Sequence, residues 1–168
     1  DGNMTALGGW RYYWDGENNM VEASPVSATN GSLRVECEHD YLNRRFRKTV
    51  DTLTGYEPPS GSPPMPGNPG EWLPLRVNEF VWDQWNIVAE TVTEGGTAVT
   101  NRYYWCADVS GTRSGAGGVG GLRMASFGGT PAVYCYDGNG NVTELLHADT
   151  GEVLAHYEYN PFGKVTKA

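Results

Sequence analysis

One pattern recurs along the 168 residues and limits what the chain can fold into. The segments YYWDGENNM, CEHDYLNRRF, FVWDQWNIV, WCADVSGTR, YCYDGNGNV and YEYNPFGKV align on one acidic or amide anchor: Asp15, Asp40, Asp83, Asp108, Asp137 and Asn160. Three residues before it stand Tyr12, Cys37, Phe80, Trp105, Tyr134 and Tyr157, and directly before it Trp14, His39, Trp82, Ala107, Tyr136 and Tyr159. On a strand these two positions face the same side, so each segment presents a short aromatic stripe. Three residues after the anchor come Asn18, Asn43, Asn86, Gly111, Gly140 and Gly163, the types that best tolerate positive φ. Asp or Asn opening a turn bonds its own backbone two residues on. The unit is thus a strand, a tight turn and a returning strand. Gly2 in the opening DGNMT matches the turn glycine of DGNGNVT, which implies a further anchor before residue 1.

Composition agrees with an all-β reading. Gly and Pro supply 33 residues, too many for long helices, and Leu, Ile, Val and Phe supply only 30. The 20 aromatic residues argue for order and carry the packing. Anchor spacings of 25, 43, 25, 29 and 23 residues describe units of roughly twenty-odd residues with loops of varied length. The long gap contains residues 55–70, GYEPPSGSPPMPGNPG, which hold six of the ten prolines and read as an exposed insertion loop. The organisation expected is repeats over 1–54, this loop, and repeats over 71–168 continuing the same sheet as one structural unit. Near the end, DTGE reads as a hairpin connection into one strand, VLAHYEY, over 153–159.

The rival chemistries each lack a part. Gly115, Gly117 and Gly120 have dinucleotide-fingerprint spacing, but neither a buried strand before them nor a helix after them is indicated, so no phosphate site is assigned. DGNGN at 137–141 resembles a calcium loop, yet Val142 and Ala148 stand where an EF-hand needs Gly and Glu. His39, His147 and His156 have no metal-ligand spacing, and no serine sits in a nucleophile elbow. Cys37, Cys106 and Cys135 cannot all pair with one another and read as packing residues. The expectation is no catalytic, cofactor or metal site. A net charge of −8 disfavours nucleic acid as a partner, and no apolar run reaches the roughly 18 residues of a membrane span. The first residues do not form a signal peptide, and the chain reads as part of a longer one. Trp72 and Trp85 fall outside the aromatic stripe and are the candidates for exposed ligand stacking.

The segments resemble the YD repeats of the RHS family, which run roughly Tyr-x-Tyr-Asp-x-x-Gly-Asn/Arg followed by a strand. YCYDGNGNVTELLHADTGEVLAHYEYNPFGKV is similar to a stretch near the C-terminal end of the bacterial RHS core; HDYLNRRFRKTV and FVWDQWNIVAE are similar to preceding repeats, with YYWCADVSGTRSGAGGVGGL following them. The resemblance implies a strip of β-sheet, open and curved in a piece of this length, belonging to a spiralling shell that encloses or presents a polymorphic toxin. It implies as partners the remaining repeats and an enclosed C-terminal toxin domain, with a secreted or cell-surface location for the whole protein; glycans are partners on the ligand-stacking reading of Trp72 and Trp85. NPFG at 160–163 carries Asn160 where the family's Asp-Pro-x-Gly self-cleavage setting has an acid, so no cleavage residue is assigned. A carbohydrate-binding or adhesin-like module is the alternative, and a hydrolase a remote one.

Overall fold

The computed structural model describes residues 2–60 and 67–168, and it is all-β and antiparallel, as the repeat pattern predicts. The strands are β1 (Ala6–Leu7), β2 (Trp10–Trp14), β3 (Met20–Pro25), β4 (Leu33–His39), β5 (Arg45–Glu57), β6 (Asn68–Asp83), β7 (Asn86–Glu94), β8 (Thr97–Trp105), β9 (Leu122–Phe127), β10 (Thr130–Tyr136), β11 (Val142–His147), β12 (Val153–His156), β13 (Glu158–Tyr159) and β14 (Val165–Lys167). β1 to β12 form a sheet in strict sequence order, each bonded to the next, open rather than closed into a barrel; β13 and β14 pair separately. Local hairpins explain this order, because every turn returns the chain beside the strand it has just left.

Two compact units are distinguished: residues through Glu79 with Val92–Ala98, and Phe80–Thr91 with Val99–Ala168. The division does not fall at the Pro/Gly-rich stretch. Of that stretch, Gly55–Glu57 belong to β5 and Asn68–Gly70 to β6, paired Tyr56 to Pro69 and Glu57 to Asn68. Asn30 extends the order here by acting as a strand partner: its Oδ1 accepts from the Tyr56 amide at 2.7 Å and its Nδ2 donates to the Tyr56 carbonyl at 3.0 Å. Residues 61–66 of the expected loop lie outside the described residues.

In the first unit the buried apolar side chains are small or few: Ala23, Cys37 and Leu53. Beside them lies a buried carboxylate, Asp51, which accepts from Arg34 Nε at 3.2 Å and Nη2 at 2.9 Å. The Arg34 guanidinium also meets Glu36 at 2.9 Å and stacks 5.0 Å from the centre of the Trp72 ring. Pro74, which cannot donate to a ladder, is accommodated at a register shift opposite Val50 and Asp51.

In the second unit Ala125 and Ala132 oppose each other across β9 and β10 and are fully buried. Half-buried aromatics cover such positions; Tyr103 lies opposite Ala125 and its ring meets Phe127 edge-on at 6.3 Å. The single strand expected over 153–159 is instead two, interrupted at Tyr157, whose amide donates back to the Thr143 carbonyl at 2.8 Å.

Breaking the Arg34–Asp51 pair leaves a carboxylate out of water without its cation. Arg34→Ala is expected to lower stability by about 2–4 kcal/mol. Urea denaturation checks this, and an unchanged midpoint would mean that Asp51 is hydrated rather than buried.

Candidate functional site: the repeat junctions

The repeated turns share one hydrogen-bond scheme. At Asp15, the Oδ1 atom accepts from the amides of Glu17 and Asn19, both at 2.9 Å. At Asp40 it accepts from Leu42 and Arg44, at Asp137 from Asn139 and Asn141, and at Asn160 from Phe162 and Lys164, all between 2.9 and 3.0 Å. The anchor's carbonyl accepts from the amide three residues on, and its own amide donates to the carbonyl four residues on. That third residue has positive φ at Asn18 (66°), Asn43 (61°), Gly111 (77°), Gly140 (81°) and Gly163 (77°). One side-chain oxygen thus satisfies two amides that a turn would leave unpaired.

The second carboxylate oxygen is held by the residue four positions after the anchor. Asn19 Nδ2 reaches Asp15 at 3.1 Å, Arg44 Nε reaches Asp40 at 2.8 Å and Asn141 Nδ2 reaches Asp137 at 2.8 Å. In the sequence this position shows only as the Asn or Arg that ends the repeat motif. These bonds hold all three carboxyls below their usual range, led by the Asn19 amide at Asp15, the Arg44 side chain at Asp40 and the Asn141 side chain at Asp137.

Asp108 takes its second set of donors from the glycine-rich loop. Its Oδ1 accepts from the Ser110 amide at 2.9 Å and the Ser110 hydroxyl at 2.5 Å, and its Oδ2 from the amides of Ala116 at 2.7 Å and Gly118 at 3.1 Å. The carboxylate is 5% exposed, and with the Ser110 hydroxyl as the leading cause its pKa falls to about 2. The loop that carries the fingerprint-spaced glycines does form a cradle of amides for an anion, through Ala116 and Gly118 rather than Gly115, Gly117 or Gly120, and the anion is the chain's own.

Asp83 departs from the scheme. Only Gln84 and Trp85 link β6 to β7, and positive φ falls on Gln84 (54°), not on Asn86, which is buried. The two-residue hairpin is too short for the wider turn, and the Asp83 carboxylate pairs instead with Arg113.

The aromatic positions join one repeat to the strand before it. Trp14 Nε1 donates to the Met4 carbonyl at 2.9 Å, Tyr159 Oη to Val142 at 2.7 Å, Tyr136 Oη to Leu122, and Trp105 Nε1 to Ile87 at 2.7 Å. A register shift directly precedes the residue before the anchor at Trp14, His39, Tyr136 and Tyr159, so the returning strand carries one extra residue. That bulge re-aims the ring toward its carbonyl. Turns also touch turns: Asn3 Nδ2 donates to Asn18 at 2.8 Å and Asn19 Nδ2 to Asn43 at 3.1 Å. At Gly140, an added Cβ would lie 2.6 Å from Val119 Cγ1.

Of the two tryptophans proposed as stacking platforms, Trp85 is 65% exposed at its hairpin tip. Trp72 is half-buried, and the Arg34 guanidinium lies over its ring, correcting the expectation of an exposed face. Cys37, Cys106 and Cys135 are unpaired. Among the described residues, no group of three His, Cys, Asp or Glu side chains converges on a point where a metal could sit.

No protein-family model and no curated protein matches the sequence. Among solved structures, the fold is similar to the crystal structure of TcdB2-TccC3, with a TM-score of 0.51 at 12% identity. The likeness covers 95% of this chain and 7% of that one, and at this identity it is a likeness of fold.

Two outcomes are expected at the junctions. Gly140→Val should cost about 1–3 kcal/mol through its positive φ and the approach of Val119, measured by thermal denaturation. Because the Asp108 carboxyl is depressed in the folded state, its stabilising effect is complete above the unfolded value of 3.8 and is lost as pH falls toward about 2. The melting temperature should therefore drop across that window, and drop less steeply in Asp108→Asn.

Proposed function

We propose that the chain is a stretch of an RHS-repeat β-shell that contains or presents a toxin or effector, acting as a scaffold and not as a catalyst. The observation that carries this reading is the repeat junction. The turns at Asp15, Asp40, Asp137 and Asn160 are closed on themselves by their anchors, and the polar tips of Trp14, Trp105, Tyr136 and Tyr159 are spent on carbonyls earlier in the chain, so these residues serve continuation of the sheet. The fold likeness to TcdB2-TccC3, an RHS-repeat toxin-complex protein, supports the same reading. The partners are then further repeats of the same protein and an enclosed C-terminal domain, in a secreted or cell-surface setting.

Electron microscopy of the full-length gene product tests this. A hollow β-walled particle with density inside is expected; a solid particle, or turnover in a broad hydrolase panel by the purified chain, would overturn it. The exposed Trp85 ring favours a second reading, an adhesin-like module that stacks on sugars. On that reading, glycan-array binding should be abolished by Trp85→Ala and retained in Trp72→Ala, whose ring is already covered.

A further inference from the structure

A glycine that follows Asn or Asp lets the main chain attack the side chain before it, since glycine has no side chain to obstruct its own nitrogen. Among the described residues four such pairs occur: Asp15–Gly16, Asn30–Gly31, Asp137–Gly138 and Asn139–Gly140. Their hydrogen bonds set them apart.

Asp15 and Asp137 are closed to this reaction by their role as anchors. A carboxyl cyclises through its neutral acid, because only then can a hydroxyl leave. Bonds led by the Asn19 amide and the Asn141 side chain hold these two carboxyls below their usual range, and so keep them ionised. Asn30 is closed in another way. Both ends of its carboxamide are bonded to the Tyr56 main chain, and the nitrogen that would attack, that of Gly31, donates to the Leu53 carbonyl at 2.8 Å. Three bonds have to open before it reacts.

Asn139 lies exposed in the turn between β10 and β11, two residues after its anchor. Its own amide donates to Asp137 Oδ1, but its carboxamide is bonded to no group among the described residues and can turn back on the main chain. The one bond in the way is that of the Gly140 amide to the Asp137 carbonyl, at 3.1 Å. From this contrast we propose that Asn139 is a site of spontaneous modification, where asparagine converts to aspartate and isoaspartate while the other three pairs persist. This property is separate from the shell reading above.

In the first step the Gly140 nitrogen loses its proton to solvent and bonds to Asn139 Cγ. The Cγ–Nδ2 bond breaks, and the leaving nitrogen takes up a proton and departs as ammonia. Water then adds to either carbonyl of the cyclic imide and opens it, so one water is consumed for each ammonia released and nothing is oxidised or reduced. Isoaspartate inserts a methylene into the main chain between the Asn139 and Gly140 nitrogens, the two amides that Asp137 uses to close the turn. Gly140 has little room to shift, since even an added Cβ would lie 2.6 Å from Val119 Cγ1. Modification therefore loosens this junction.

Incubation of the intact chain in warm, mildly alkaline buffer, followed by peptide mass mapping and enzymatic isoaspartate labelling, tests the proposal. In the folded chain, conversion at Asn139 should outpace that at Asn30 by about tenfold or more, because two fewer hydrogen bonds have to open. In concentrated urea the two sites should convert at similar rates, since the fold no longer separates them. Asn139→Gln, whose longer side chain cyclises far more slowly, should remove the fast phase of isoaspartate formation. Equal rates at Asn30 and Asn139 in the folded chain, a preference for Asn139 that persists undiminished in urea, or a fast phase that survives Asn139→Gln would each overturn the assignment. The first two outcomes do not depend on a variant folding.

Discussion

The rest of the structure depends on one bond pattern, an anchor carboxylate or amide oxygen that accepts from the backbone amides two and four residues later. A five-residue turn leaves amides that neither strand can satisfy, and an unpaired amide is costly wherever neighbours exclude water. By taking two of them, the anchor fixes where one strand ends and the next begins. Register follows, and with it the face each aromatic presents. The bulge next to the anchors Asp15 and Asp137 belongs to this arrangement, since the extra residue lets Trp14 and Tyr136 turn toward an earlier carbonyl.

Such a chain does without a large apolar core. Among the described residues its buried apolar side chains are three alanines, Cys37 and Leu53. Stability is distributed instead over half-buried aromatics with polar tips, over the Arg34–Asp51 pair with its stack on Trp72, and over the satisfied turns. Most of these contacts join strands that lie close together in the sheet, in keeping with strands that follow sequence order.

The fold class was legible because the signals were local. An acid before a Gly or Asn three residues later marks a turn whatever surrounds it, and the paired aromatics mark the strand leading into it. The bulges were not legible, since an extra residue in a returning strand leaves no mark in composition. The Asp83 turn misled for a related reason: its Asn86 has the right spacing, but Gln84 takes the left-handed conformation in a shorter hairpin. Trp72 looked free in sequence because Arg34, its covering residue, lies 38 positions away.

The anchor geometry also bears on how much sequence change the sheet can absorb. At a regular junction such as Asp15 or Asp137 it asks for few things: an oxygen at the anchor, a residue content with positive φ, and an aromatic with a donor at its tip. Backbone groups supply the remaining partners, and every residue type has those. Most positions in a repeat are thus free to drift without loss of the turn, and loops can lengthen between repeats without disturbing the next one. A sheet built this way tolerates wide change in sequence, and a likeness of fold at 12% identity is consistent with that tolerance.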